Sequence, residues 1–200
     1  GVQAVKETVE ASAELGINYL TLYAFSRENW NRPKQEIDAL MNLLVTTIDK
    51  EINTLQENNI RLFVIGDLES LPAKVKEKVE YALKETSNNT GLNLILALNY
   101  SARWEILNAM RKFGEDVSHQ KEMLDLDLDT FHKYLTTGRL PDPDLLIRTR
   151  GEKRLSNFLL WKLAYSELYF TNTLWPDFRK EDLYEAIINY QNREGRFGKT

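Results

Sequence analysis

The sequence contains no cysteine among its 200 residues. Disulfides, thiolate metal sites and cysteine nucleophiles are therefore excluded, and a reducing, cytoplasmic location is expected. No stretch approaches the roughly 18 consecutive apolar residues of a membrane-spanning helix. Positive charge is not in excess either, because 26 Lys and Arg stand against 30 Asp and Glu, a formal net charge of −4. Nucleic acid is therefore not an expected partner, since affinity for a phosphate backbone needs an excess of basic residues.

Several common motifs are also missing. The sequence has no glycine-rich nucleotide fingerprint, no Walker motif and no Ser-His-Asp order. Its 9 glycines and 5 prolines form no linker, and with 42% hydrophobic residues the chain can bury one sizeable core. A single domain, residues 1–200, is predicted. An apolar helical pattern begins at Val2 and stops at Gly16, and because a domain seldom begins inside its first helix, we expect further residues upstream of Gly1.

Short apolar runs alternate with segments of helical periodicity along the chain. The predicted strands are Ile17–Phe25, Ile60–Ile65, Leu92–Leu98, Leu145–Ile147 and Leu168–Phe170. The predicted helices after the first are Ile37–Leu55, Pro72–Thr86, Ala102–Phe113 and Phe158–Leu163. This alternation is typical of βαβ units. It predicts an α/β fold with a mainly parallel central sheet and helices on both faces, in which ligands bind beyond the C-terminal ends of the strands.

The first polar loop follows the strand that ends at Phe25. It collects a hydroxyl, two guanidinium groups, a carboxylate, two carboxamides and an indole in the run Ser26, Arg27, Glu28, Asn29, Trp30, Asn31, Arg32 and Pro33. One interpretation is a solvated helix N-terminus that begins at Pro33. A functional site is favoured, because an indole in a polar loop needs a surface to pack on and loops often carry sites.

The second polar loop, residues 148–157, follows the fourth predicted strand and leads towards the predicted helix Phe158–Leu163. Its four cations are Arg148, Arg150, Lys153 and Arg154. Backbone N–H groups, the helix dipole and guanidinium forks together favour a phosphate or diphosphate site there. The alternative is a solvated basic loop. Its position at a strand end favours the anion site. A third loop at a strand end, Asn99–Arg103, is also a candidate.

A carboxylate, Glu167, stands directly before the strand Leu168–Phe170. It fits either a solvent-facing strand edge or a ligand of Mg2+, which takes one or two carboxylates together with phosphate oxygens and water. The sequence alone leaves both interpretations open. Aspartates alternate over residues 125–129 as in a calcium loop, but Thr130 stands where that loop requires glycine. A turn leading into a helix near Phe131 is predicted there instead.

Five unusual motifs occur in order along the chain. They are LTLYAFSRENWNRP (Leu20–Pro33), IRTRGE (Ile147–Glu152), RLSNFLLW (Arg154–Trp161), ELYF (Glu167–Phe170) and LWPDF (Leu174–Phe178). Together they resemble the cis-prenyltransferases, and the members that make undecaprenyl diphosphate are the nearest match. The resemblance extends from Gly1 to Gly198. The Asp-rich DDxxD signature expected of trans-type prenyl synthases is absent.

The resemblance implies an enzyme that condenses isopentenyl diphosphate with an allylic diphosphate such as farnesyl diphosphate, each new double bond being cis. The implied product is undecaprenyl diphosphate, the lipid carrier precursor for cell-wall synthesis. Mg2+ is the implied cofactor, with a homodimer and peripheral membrane contact for product release. The family's growing chain lies in an apolar tunnel bordered by the long helix, where Leu40, Leu43 and Leu44 are first of all core residues. A catalytically silent scaffold subunit is the alternative function.

Residue roles also follow from the resemblance. Asn29 and Ser26 are the implied catalytic residues, with Asn29 as the acceptor of the proton from the isopentenyl unit. Glu167 is the implied Mg2+ ligand. The implied substrate-binding residues are Ser26, Arg27, Glu28, Trp30, Arg32, Arg148, Arg154, Leu155 and Ser156. These roles require the two polar loops, which are far apart in sequence, to meet at one rim of the sheet.

Three features depart from the family pattern. The opening Asp-Gly-Asn motif, with its Mg2+-binding aspartate, is absent. Residues 1–200 are therefore expected to be a catalytic domain without its N-terminal strand and phosphate-binding loop, and to be nearly inactive; full turnover by these residues would contradict this. Arg150 stands where a small residue is usual. Gly195 interrupts an arginine-rich tail, Arg193–Gly198, which in the family lies near the dimer interface.

Overall fold

The computed structural model describes residues 1–119 and 125–193. The helices are α1 (Val2–Glu14), α2 (Lys34–Glu57), α3 (Ala73–Glu85), α4 (Ala102–His119), α5 (Leu128–His132) and α6 (Lys180–Gln191). The strands are β1 (Tyr19–Ser26), β2 (Arg61–Ile65), β3 (Asn93–Tyr100), β4 (Leu145–Arg148) and β5 (Glu167–Phe170). Gly195 and most of the arginine-rich tail lie outside the described residues. The α/β fold class with parallel strands is confirmed.

Two compact units divide the chain between them. The first comprises Gly1–Tyr100 and Trp175–Leu183, and the second comprises Ser101–Leu174 and Tyr184–Thr200. The sequence predicted one central sheet, whereas the strands form two: β1, β3 and β2 in that order within the first unit, and β4 with β5 within the second. All of these pairings are parallel.

The first unit is built on the three-stranded sheet. Strand β3 is its centre, and Leu96 pairs with Leu22 of β1 on one side and with Val64 of β2 on the other. A strand with neighbours on both sides and helices above it is apolar almost throughout, as the sequence of β3 is. The C-terminal ends of these three strands lie at one edge of the sheet. Ser26 ends β1, Gly66 directly follows β2, and Asn99 is the last but one residue of β3.

Helix α2 supplies the apolar layer that covers this sheet. Its buried residues recur every three or four positions, which places them on one helical face: Ile37, Met41, Val45, Ile48 and Ile52. Each such side chain contributes about 1.5–3 kcal/mol when fully buried. Leu40 and Leu44 are partly buried against the same core. The expectation that Leu43 is also a core residue is wrong, because it is 50% exposed.

The second unit contains the two-stranded sheet and a small apolar cluster of Ala109, Phe131 and Leu135. Asp127 caps the N-terminus of α5, because its Oδ1 accepts a hydrogen bond from the Thr130 N–H at 2.8 Å. The predicted turn into a helix near Phe131 is therefore confirmed. None of the helices in the described ranges is long and apolar enough to cross a membrane.

One predicted helix is absent, and one observed helix was not predicted. Residues 158–163 form turns rather than a helix. Ser156, Asn157 and Leu159 all have left-handed backbone, with φ of 53°, 59° and 48°. Left-handed residues cannot continue a right-handed helix. The apolar run was misassigned because periodicity over six residues does not distinguish a helix from a buried turn. Helix α6 has only a weak apolar stripe, so the sequence pattern did not predict it.

Candidate active site

The first polar loop is a short 3-10 turn, Arg27–Asn31, that directly follows β1. The Ser26 backbone N–H donates a hydrogen bond to Asn29 Oδ1 at 3.0 Å. Ser26 and Asn29, the two predicted catalytic residues, are therefore in contact, and the Ser26 backbone N–H orients the Asn29 amide. Glu28 and Arg32 are exposed on the same turn.

An ion pair ties the start of this turn to the loop after β2. Arg27 Nη1 lies 2.5 Å from Asp67 Oδ2, which also accepts a hydrogen bond from Ser70 Oγ at 2.7 Å. Burial acts to raise the pKa of Asp67, but the hydrogen bonds from Ser70 and Arg27 outweigh it, so the pKa is lowered. Asp67 therefore stays ionised at neutral pH and holds Arg27 in place.

A second connection reaches the same turn through Asn99, at the C-terminal end of β3. Trp30 Nε1 donates to Asn99 Oδ1 at 2.8 Å, and Asn99 Nδ2 donates to the Asp67 carbonyl at 2.8 Å. The Trp30 ring also packs edge-on against Phe25, with centroids 5.3 Å apart. The indole thus packs on the end of its own strand, which is the surface that the sequence required for it.

Beneath the turn, Tyr23 of β1 is half-buried. Its hydroxyl donates to the Tyr100 carbonyl at 3.0 Å. Burial raises the pKa of Tyr23, and the nearby negative charge of Glu28 raises it further. Tyr23 is therefore neutral at physiological pH and serves as a hydrogen-bond donor there.

In the second unit, a cluster of charged side chains follows β4. Arg148 Nη2 donates to Glu152 Oε2 and also to Ser156 Oγ, the latter at 3.2 Å. Arg154 Nη2 lies 3.0 Å from the same Glu152 oxygen, and Arg150 Nε lies 3.9 Å from the other. Two of the predicted diphosphate ligands, Arg148 and Arg154, are therefore brought together around one carboxylate, and the third, Ser156, lies beside Arg148.

One donor of this cluster is unused. Arg148 Nε is buried and has no hydrogen-bond partner in the part of the chain that the structure describes. An unpaired buried donor costs free energy that an acceptor would recover. Leu155, between Arg154 and Ser156, is half-buried and presents no polar side chain.

The predicted helix N-terminus beside these arginines does not exist, so that part of the anion-site prediction is wrong. The turn at Arg150 and Gly151 instead has left-handed backbone, with φ of 67° and 66°. Their N–H groups bond the carbonyls of Thr173 and Thr171 at 2.9 and 2.8 Å. Guanidinium groups, rather than a helix dipole, therefore supply the positive charge.

The loop Asn99–Arg103 was predicted as a third site loop. Its residues in the second unit make structural contacts with Asn157. Asn157 Oδ1 accepts from the Arg103 N–H at 3.0 Å, and the Asn157 carbonyl accepts from the Ala102 N–H at 2.9 Å. Asn157 therefore occupies the N-terminus of α4, whose free N–H groups need acceptors.

Glu152 leads to a prediction about pH. Burial acts to raise its pKa, but the hydrogen bond from Arg148 and the charges of Arg154 and the other arginines outweigh it, so the pKa is lowered. The stabilisation from this carboxylate is thus fully present above its unfolded pKa, ordinarily 4.5. It is lost as the pH falls through the lower folded value.

We expect a carbon-13 NMR titration to place the Glu152 carboxyl below its ordinary range, and the substitution Arg148→Ala to move it upward. Arg111→Ala is the matched control, since Arg111 pairs with a different carboxylate, Glu115, at 2.6 Å, and it should leave the Glu152 signal unchanged. An ordinary pKa for Glu152 in the unsubstituted protein would contradict this prediction.

Glu167, the predicted Mg2+ ligand, lies at the other end of the small sheet. It pairs with Leu145 at the start of β4, whereas Arg148 at the end of β4 pairs with Phe170. Its Oε2 lies 2.6 Å from Arg193 Nη1. Within residues 1–119 and 125–193, no group of three His, Cys, Asp or Glu side chains is arranged to hold a metal.

The two polar loops belong to different units, and their meeting in one pocket stays a prediction.

Comparison with known proteins identifies the family. A prenyltransferase family model described as "Putative undecaprenyl diphosphate synthase" matches residues 1–198. The chain belongs to the cis-prenyltransferase family. It is an enzyme of the isoprenyl transferase type.

Relatives of this cis-prenyltransferase cover almost all of it. An isoprenyl transferase of Porphyromonas gingivalis is 51% identical in an alignment 201 residues long, which covers 100% of this chain and 79% of that protein. The ditrans,polycis-undecaprenyl-diphosphate synthase ((2E,6E)-farnesyl-diphosphate specific) of Pasteurella multocida is 47% identical, with 99% and 83% covered. The crystal structure of lavandulyl diphosphate synthase from Lavandula x intermedia in complex with dimethylallyl diphosphate has a TM-score of 0.94 at 38% identity, with 99% and 86% covered.

Sequence reasoning missed three residues that organise the two loops of this cis-prenyltransferase. Asp67 follows Gly66 at the end of β2, and that glycine was the available signal for a tight strand end. Asn99 was included in a candidate loop without a role. Glu152 was quoted only as part of a motif, although a carboxylate among four cations is a signal for a shared ion pair.

Proposed function

We propose that this cis-prenyltransferase catalyses Mg2+-dependent condensation of isopentenyl diphosphate with farnesyl diphosphate, with cis geometry, to make undecaprenyl diphosphate. The observation that carries the proposal is the Arg148 cluster. Arg148 keeps a buried Nε donor without a partner among the described residues, Arg154 shares the Glu152 carboxylate with it, and Ser156 Oγ accepts a hydrogen bond from Arg148 Nη2. Guanidinium forks match the oxygens of a diphosphate, which is the group common to both substrates.

In this proposal Ser26 and Asn29 handle the proton that leaves the isopentenyl unit. An amide is a poor base by its own pKa. Asn29 Oδ1 already accepts from the Ser26 N–H. Asn29 therefore orients the reacting group or relays its proton rather than storing it. Arg27, Glu28, Trp30 and Arg32 shape the surroundings of the substrate.

Glu167 fits Mg2+ as a single protein ligand. Mg2+ takes one or two carboxylates and completes its shell with water and substrate phosphate oxygens, and the Glu167 carboxylate is 44% exposed. Arg193 must release that carboxylate before it can bind the ion. Bound Mg2+ neutralises charge on the departing diphosphate. A homodimer in the cytoplasm, touching the membrane for product release and supplying cell-wall synthesis, completes the proposal.

The direct test supplies the full-length enzyme with labelled isopentenyl diphosphate and farnesyl diphosphate, with Mg2+ or with EDTA. We expect labelled polyprenyl diphosphate only when Mg2+ is present. Calorimetric titration with isopentenyl diphosphate alone tests the silent scaffold, which would bind none. Binding without any product in the complete mixture would refute the enzymatic function.

The partly buried face of α2 leads to a prediction about product length. Leu44 packs against the apolar core of the first unit, and the proposal has the growing chain follow this helix. The indole is larger than the leucine side chain that it replaces, so at position 44 it would displace methylenes of the growing chain, each worth about 0.8 kcal/mol of burial. We expect Leu44→Trp to shorten the main product on thin-layer chromatography.

Leu43→Trp is the matched control, because Leu43 is its neighbour on α2 and is exposed. It should leave the product lengths unchanged. The same product ladder from Leu44→Trp and the unsubstituted enzyme would rule out a tunnel along this face.

A further inference from the structure

We infer that Asn99 is a positioning residue that fixes the Trp30 indole and, with Asp67, holds the turn that carries Ser26 and Asn29. The inference rests on the proposed function for its catalytic consequence. Its structural basis is a set of contacts among the turn after β1, the loop after β2 and the C-terminal end of β3, all within the first unit. Neither Asn99 nor Asp67 needs to touch a substrate.

The orientation of the Asn99 amide is forced by its partners. The Asp67 carbonyl can only accept, so it must face Nδ2, at 2.8 Å. The Trp30 Nε1–H can only donate, so it must face Oδ1, also at 2.8 Å. The Asp67 N–H returns a bond to the Asn99 carbonyl at 3.2 Å. Aspartate and leucine, which are close to asparagine in size, cannot replace it here, because an ionised aspartate only accepts and leucine does neither.

The environment of Asn99 also makes it difficult to replace. Its side chain is fully buried, with 0% exposure. Its φ is 48°, in the left-handed region that asparagine tolerates better than other residues with a side chain. A buried amide with both ends paired is a rigid anchor, whereas Trp30 itself is 37% exposed. The buried partner therefore fixes the more exposed one.

Two anchors hold the turn three residues apart. Arg27 is fixed by Asp67, and Trp30 is fixed by Asn99. Asp67 joins the two anchors, because its carboxylate binds Arg27 and its carbonyl binds the Asn99 amide. Asn29 lies between the anchored positions, so its direction is set by both. Loss of the Asn99 amide would release the Trp30 end of the turn.

The experiment compares Asn99→Gly, Trp30→Phe and the double variant in the full-length enzyme. Glycine removes the amide without a penalty for positive φ. Asn59→Gly is the matched control, because Asn59 also has positive φ, 55°, and also binds a neighbouring loop, through Thr90. It precedes β2, at the opposite end of the same sheet.

We expect Asn99→Gly to lower kcat by about tenfold, the size of one hydrogen bond. The KM for isopentenyl diphosphate should change less than kcat, because Arg148 and its neighbours are untouched. The double variant should be no slower than the slower single variant, since both remove the same interaction. Asn59→Gly should keep kcat within twofold.

Fluorescence of the ligand-free protein supplies a readout that does not depend on activity. Asn99→Gly should shift the tryptophan emission, and the shift should disappear in the Trp30→Phe background. Additive effects on kcat, or an emission spectrum that Asn99→Gly leaves unchanged, would overturn the inference. If the unsubstituted enzyme makes no product, the proposed function fails, and the emission spectra then decide the Asn99–Trp30 coupling alone.

Discussion

Replacing Arg148 with alanine is expected to lower kcat/KM for isopentenyl diphosphate by roughly 100- to 1000-fold. Hydrogen bonds to charged groups contribute about 1.5–3 kcal/mol each, and a guanidinium can offer a diphosphate two of them. At the lower end of that range, the loss of both bonds raises the barrier by about 3–4 kcal/mol. This corresponds to roughly 100- to 1000-fold, because each 1.4 kcal/mol is about tenfold.

The position of Arg148 explains why this effect should exceed that of the neighbouring cations. Its side chain is only 27% exposed, whereas those of Arg150 and Arg154 are each 73% exposed. Exposed charges are screened by water and salt, so their single contacts are worth little. Arg148 also ends β4, whose pairing with β5 fixes its backbone. Arg154→Ala should therefore cost less than Arg148→Ala.

Steady-state kinetics and calorimetry with isopentenyl diphosphate measure the effect. Arg111→Ala is the matched control, since Arg111 lies in the same unit, is exposed and pairs only locally with Glu115 and Asn108. It should stay within twofold of the unsubstituted enzyme. Arg148→Lys should recover part of the affinity, because it restores the charge without the fork. An Arg148→Ala enzyme with unchanged affinity would disprove the diphosphate role of this cluster.

Sequence reasoning located the strands because each is an apolar run with a clear end. It also predicted correctly that each polar loop directly follows the end of a strand, β1 and β4, whereas their meeting at one rim stays a prediction. The sequence could not show which side chains contact each other. Asp67 and Asn99 read as ordinary loop residues, and only the adjacent ends of β1, β2 and β3 bring them to Arg27 and Trp30.

The failure at residues 158–163 has a different cause. The run Phe158, Leu159, Leu160 and Trp161 is apolar enough for a helix, but Asn157 ahead of it adopts left-handed backbone and binds the start of α4. A long-range hydrogen bond thus decided the local conformation. Propensity is a weak prior against such tertiary contacts, and no local pattern in the sequence announces them.

Gly66→Ala is expected to cost the fold more than about 3 kcal/mol. A Cβ at this position would lie 1.9 Å from the Leu98 carbonyl oxygen, well inside the contact distance of the two atoms, and φ is +122°. Leu98 belongs to the central strand β3, where it pairs with Phe25, and Gly66 directly follows β2, so a shift of either backbone would disturb strand pairing. The penalty adds steric overlap to a backbone conformation that only glycine adopts readily.

Urea denaturation compares Gly66→Ala with Gly114→Ala. Gly114 lies in α4, and a Cβ there meets nothing within 4 Å. Alanine is the better helix former by about 1 kcal/mol, so this control should be slightly stabilised. A Gly66→Ala protein that unfolds at the same urea concentration as the unsubstituted one would show that β2 and β3 are not in this close contact.

The same close contact places Asp67 beside Asn99. Gly66 lets the chain pass against Leu98, and the next residue then exchanges backbone and side-chain hydrogen bonds with Asn99. Any folded fraction of Gly66→Ala should therefore have a displaced Asp67 and a weakened Arg27 contact. We expect its Trp30 emission to resemble that of Asn99→Gly, which ties the packing of one glycine to the orientation of the proposed catalytic turn.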